Sequence, residues 1–114
     1  TATGRAKIAL FSNSYHGHYD GVLTSSQNAA GVAVPLALGI SDHAVEDVLV
    51  LDYDNPHSLE ILQAHKNELA AVLVEPVQSR RPDLQPQKFL QQLREFTSSA
   101  GCALIFDEVL TGFR

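Results

Sequence analysis

Methionine and tryptophan are absent from the 114 residues, and cysteine occurs once. With no methionine even at position 1, and only a few residues after the last apolar run, both ends read as internal. The chain is expected to be a piece of one larger domain, with residues 1–114 inside it. A lone Cys102 forms no internal disulfide, so an apolar core must supply the stability. A reduced, buried thiol in a cytoplasmic protein is the expectation. No apolar run approaches the ~20 residues of a membrane span. Positive charge is scarce: eight Lys and Arg stand against thirteen Asp and Glu, a net charge of −5. The Arg80-Arg81 pair is the only basic cluster, which argues against nucleic acid as a partner.

Apolar content is ample at 45%, enough for a globular core. Four short runs carry it: Lys7 to Phe11 (KIALF), Val48 to Asp52 (VLVLD), Ala71 to Glu75 (AVLVE) and Ala103 to Asp107 (ALIFD). None alternates with polar residues, as expected of strands covered on both faces in a parallel sheet. Two helices fit between the last three. In NPHSLEILQAHKNELA, Asn55 caps, Pro56 occupies the first helical position, and Leu59, Leu62 and Leu69 share a face. In QPQKFLQQLREFTSSAG, Pro86 starts the helix, Phe89, Leu90, Leu93 and Phe96 form the stripe, and Gly101 stops it. Strand–helix–strand–helix–strand predicts an α/β layer structure: a mostly parallel sheet flanked by helices. From His18 to Asp47 the sequence has no clean period; AAGVAVPLALG there fits either a strand or a short helix. Such irregular stretches are usually functional or interfacial.

The polar residues fall in a pattern. Asp107 and Glu75 each end an apolar strand, and Tyr15, His16 and Gly17 follow the first strand by a few residues. All would reach the carboxyl edge of the sheet, where open parallel sheets bind ligands. Taken singly, each has an ordinary reading. An acid after a strand is commonly a turn residue or a helix cap; Glu75-Pro76 marks a strand end. His16 and His18 fall short of a stable zinc site without further ligands. The acid of ALIFDE could hold magnesium in a nucleotide-binding domain, but that chemistry needs a GxxxxGK[ST] loop, which is absent here.

Together, YHGH, VEPVQ and DEVLTGFR resemble the class-III pyridoxal-phosphate aminotransferases, a family that includes glutamate-1-semialdehyde aminomutase, ornithine aminotransferase and the omega-transaminases. The resemblance covers nearly the whole chain and implies part of the large domain of a fold-type-I enzyme. TGRAKIALFSNSYHGHYDG and RRPDLQPQKFLQQL further resemble the aminotransferase domain of cyanobacterial polyketide–peptide synthetases that make microcystin and nodularin. That likeness implies amination of a carbonyl on a carrier-bound chain; the aminomutase reaction, which shuffles an amine within one small molecule, is the alternative. The family also implies pyridoxal 5'-phosphate, an amino donor, a carbonyl acceptor and a homodimer.

Carried over by position, the resemblance makes Asp107 the partner of the cofactor's ring nitrogen. That ring withdraws electrons only while its nitrogen stays protonated, which a nearby carboxylate favours. Tyr15 matches the aromatic residue stacked on one face of the ring and Val109 the residue packed on the other. His16 joins the site by adjacency, and Glu75 matches an acid near the cofactor and the substrate entrance. Glu108, pointing opposite to Asp107 in an extended chain, is given a structural role. The Schiff-base lysine is expected after Arg114, since Lys7, Lys66 and Lys88 stand in the wrong places, and the phosphate-binding Ser-Gly-Thr turn before Thr1. One departure from the family is Ser79-Arg80-Arg81, where glycine is common soon after Glu-Pro.

Overall fold

The computed structural model describes residues 3–14, 16, 24–26, 33–35, 39, 41, 45–78, 80–109 and 111. Among these described residues, six strands and two helices run in the order β1 (Lys7–Phe11), β2 (Thr24–Ser26), β3 (Ala33–Pro35), β4 (Val48–Leu51), α1 (Pro56–Ala64), β5 (Leu69–Val74), α2 (Gln87–Ala100) and β6 (Ala103–Phe106). Strands β4, β1, β5 and β6 form, in that order, one sheet in which every pair is parallel. The four predicted strands are all present, and the architecture is α/β. Strands β2 and β3 pair antiparallel as a separate ribbon within the aperiodic stretch. The strand reading of AAGVAVPLALG therefore holds at Ala33–Pro35.

Passing from β4 to β5 to β6, the chain moves one way along the sheet, so right-handed crossovers must set both helices on one face. Leu62 of α1 and Phe89, Leu93 and Phe96 of α2 accordingly share a core with Ala9, Phe11, Leu49, Leu51, Val72 and Val74. The step from β1 to β4 runs the other way along the sheet. On the opposite face Leu10, Val48 and Val50 make a smaller cluster with Ile8 and Leu73. The direction of strand addition thus reverses at β1, and beside the carboxyl end at such a reversal open α/β sheets form a binding crevice. Coverage on both faces holds for β4 and fails for β6, whose Ile105 and Phe106 are exposed on the sheet edge.

Local chemistry explains the helix ends. Asn55 is extended, and its side-chain oxygen accepts the His57 N–H at 2.9 Å, with Pro56 next in the first helical position. Asn55→Ala should lower stability by about 1 kcal/mol, read as a shift in the urea midpoint, whereas Asn55→Asp should restore it. At the end of α2, Gly101 takes the left-handed conformation at φ 68°, and Cys102 N–H bonds back to Thr97 O at 3.1 Å. The last turn of α2 has no basic residue of its own. Arg5 supplies the cation from across the fold, donating to Ala100 O at 2.7 Å and to Leu69 O at 3.3 Å.

Helix α1 ends at Ala64, so Leu69 is not part of its stripe; it opens β5 opposite Lys7. The turn through Lys66, Asn67 and Glu68 intervenes, with the Glu68 and Leu69 N–H groups both bonding to His65 O. Leu69 sits seven residues after Leu62, a spacing that fits a helix as well as a following strand. Cys102 is buried as expected, and burial raises its thiol pKa.

Candidate functional site

The carboxyl ends of the sheet strands form one edge, and hydrogen bonds tie the segments leaving it to one another. Val74 pairs with Phe106, and Asp107 N–H bonds to Val74 O at 2.9 Å, so Glu75 and Asp107 leave adjacent strands side by side. His16, beyond β1, reaches the same place: its Nδ1 lies 2.8 Å from Asp107 Oδ2. An ionised carboxylate only accepts, so Nδ1 carries the proton and His16 is the donor. Val109 N–H donates to the other oxygen, Oδ1, at 3.2 Å.

These contacts set the charge of Asp107. Burial raises its pKa, but the hydrogen bonds from His16 and Val109 and the proximity of the imidazole outweigh burial and hold it below the usual carboxylate value. The depressed folded value makes Asp107 stabilising above its ordinary pKa, and that contribution is lost as pH falls through the folded value. Asp107→Asn should remove this part of the acid-unfolding curve, which parallel acid titrations of the two proteins followed by circular dichroism would detect.

The two neighbouring exits are held as well. Tyr53, just beyond β4, shares its hydroxyl proton between Glu75 O at 2.9 Å and Pro76 O at 3.1 Å. Burial, with the charges of Asp54 and Glu75, pushes its phenol up to about 12, so it remains a donor across the working range. Gln78, after β5, donates to Ser12 O and Ser14 Oγ, each at 2.8 Å. A chain of hydrogen bonds therefore runs from the β4 exit through the β5 exit to the β1 exit, and from there through His16 to Asp107.

Of the predicted site residues, His16 and Asp107 are in direct contact, and Glu75 is buried beside them at 5% exposure. Val109 contributes its backbone N–H, while its side chain is 89% exposed. Tyr15 and Gly17 lie outside the described residues, as does Ser79. Arg80 and Arg81 are exposed. Lys7 starts β1 and Lys66 precedes β5, both at the opposite edge, and Lys88 lies in the first turn of α2. Sequence reasoning missed Tyr53 and Gln78. The signal for Gln78 was its place in VEPVQ; Tyr53 stood between two acids at a strand exit, with nothing to mark its partners.

The donor set fits a cationic heterocycle. A carboxylate offers about four lone-pair positions, and the described contacts engage two of them. His16 Nε2 and Thr111 Oγ1 are buried without a partner among the described residues. Asp107 can thus take a ring N–H⁺ while keeping both of its protein donors.

The profile of the class-III aminotransferases matches residues 1–114. The chain belongs to this family. As a class-III aminotransferase it is 42% identical over 115 residues to a glutamate-1-semialdehyde 2,1-aminomutase of Lachnoclostridium phytofermentans, covering 98% of this chain and 27% of that protein. Two solved structures superpose with a TM-score of 0.83. One is a transaminase with pyridoxal phosphate bound, at 36% identity, covering 96% of this chain and 26% of that one. The other is an omega-transaminase from Sphaerobacter thermophilus, at 37% identity, covering 96% and 27%. This class-III aminotransferase chain therefore spans about a quarter of the length of these relatives. No helix among its described residues is long and apolar enough to cross a membrane.

Proposed function

We propose that the intact protein moves an amino group to a carbonyl carbon with pyridoxal 5'-phosphate, and that this chain supplies the part of the site that grips the cofactor ring. The observation that carries the reading is Asp107, an ionised carboxylate held by His16 and Val109 at the carboxyl edge with lone pairs to spare. When bound, the cofactor supplies an electron sink for the carbon bearing the amine. Asp107 keeps the ring nitrogen protonated; His16 fixes the carboxylate's orientation. Tyr15 and Val109 are assigned to the two ring faces, and Glu75 to the edge near the substrate. The amino donor, the carbonyl acceptor and a homodimer complete the proposal.

For the acceptor, the relatives favour a small molecule: the 42% identical protein is named as a glutamate-1-semialdehyde aminomutase. A carrier-bound polyketide or peptide carbonyl is the second reading. It is supported by the exposed Arg80-Arg81 pair beside the VEPVQ segment, suited to an anionic carrier surface. Incubating the intact protein with pyridoxal phosphate and reducing with borohydride should leave a covalent adduct; its absence would count against the cofactor. Offering glutamate-1-semialdehyde and a β-keto thioester on a carrier protein then separates the acceptors. Turnover of neither, with donors varied, would overturn amino transfer itself.

A further inference from the structure

Gln78 is 1% exposed, and its amide reaches out of its own loop to the segment leaving β1. Ser12 O can only accept, so the amide nitrogen must face it; the same nitrogen donates to Ser14 Oγ. The main chain around Gln78 is anchored on both sides: the Tyr53 hydroxyl holds Pro76 O, and Arg81 N–H donates to Gln78 O at 3.0 Å. Ser14 is two residues before His16, whose imidazole holds Asp107. Among the described residues, the other ties of the β1 exit are Ser12 N–H to Leu51 O, the turn bond from Ser14 N–H to Phe11 O and the His16–Asp107 contact itself.

We infer that Gln78 is a positioning residue: by clamping Ser12 and Ser14 it sets where His16 meets Asp107, and so how firmly the carboxylate is aimed. It acts through His16 and touches no reacting atom. A side chain on a separate loop can do this because both ends of the strut are fixed before any ligand arrives, which lowers the ordering cost of binding.

The test uses the intact protein with 15N-labelled histidine, in wild type, Gln78→Met and Ser14→Ala, with His16→Gln to identify the His16 signals. Methionine keeps the length of the side chain and removes a buried oxygen, Oε1, that has no partner among the described residues, so the fold should survive. In the wild type the His16 ring should sit in one tautomer with its proton on Nδ1. In Gln78→Met the ring signals should move to tautomer-averaged positions, and in Ser14→Ala they should move the same way by less. The dissociation constant for pyridoxal phosphate should rise about tenfold in Gln78→Met.

This second readout rests on the cofactor reading, and the first does not. A wild type that fails to bind the cofactor would sink the proposed function, while the ring signals would still decide the role of Gln78. Unchanged His16 signals in Gln78→Met would overturn that role. Should that variant not fold, unchanged signals in Ser14→Ala would do the same.

Discussion

Replacing Asp107 by asparagine is expected to lower turnover of the intact protein about a hundredfold while leaving the sheet in place. A carboxylate that raises the ring nitrogen's pKa by two units supplies about 2.7 kcal/mol of differential stabilisation, a factor of ~100. A charge-assisted hydrogen bond, at ~1.5–3 kcal/mol net, is of the size needed. Asparagine keeps the shape and loses the charge. It also has one acceptor oxygen where Asp107 uses two, one for His16 Nδ1 and one for Val109 N–H. One of those donors must lose its partner, so the substitution disturbs orientation as well as charge. Turnover should be measured with saturating cofactor, so that weaker binding is not mistaken for slower chemistry. A loss of less than about threefold, well under the 2.7 kcal/mol expected, would show that the charge of Asp107 does not govern the ring.

The same residue shows how far the sequence could be read. An acid closing a continuous apolar run places itself, because a buried strand has to surface somewhere and its first polar residue marks the rim. Asp107 and Glu75 were legible for that reason, and parallel pairing of β5 with β6 then put them side by side. Asn55, Pro56 and Gly101 were legible because cap chemistry depends on residues within a few positions. Leu69 was misread because period alone cannot distinguish the last turn of a helix from the first residue of the next strand. The central position of β1, between β4 and β5, follows from long-range pairing that no local pattern encodes. Gln78 and Tyr53 were missed for a related reason. Their partners are 66 and 22 residues away in sequence, and both are common residue types whose role comes entirely from what the fold sets opposite them.

Phe89→Ala should be the most destabilising single change among these elements, costing about 3–5 kcal/mol. Phe89 projects from α2 into the main core and meets two other rings edge-on: Phe11 of β1 at 5.5 Å and Tyr53 at 5.8 Å between centroids. Phe11 and Tyr53 are themselves edge-on at 5.9 Å, so the three rings close a triangle with one ring from β1, one from the β4 exit and one from α2. Each edge-to-face pair adds about 0.5–1.5 kcal/mol beyond the area it buries. Removing Phe89 deletes two of the three pairs and opens a cavity that a flanking sheet can fill only partly. Phe89→Leu should recover most of the apolar burial and little of the ring geometry, giving an intermediate loss. Urea unfolding of the intact protein and both variants measures the series. The effect should also reach the rim, because Tyr53 is both a member of the triangle and the donor that holds Glu75 O and Pro76 O. Hydrogen exchange at the β5 exit should therefore quicken in Phe89→Ala more than in an equally destabilised Leu93→Ala, whose side chain is buried in the same core but makes no ring contact with Tyr53. Equal rates at the β5 exit in the two variants would show that core and rim are not coupled through Tyr53.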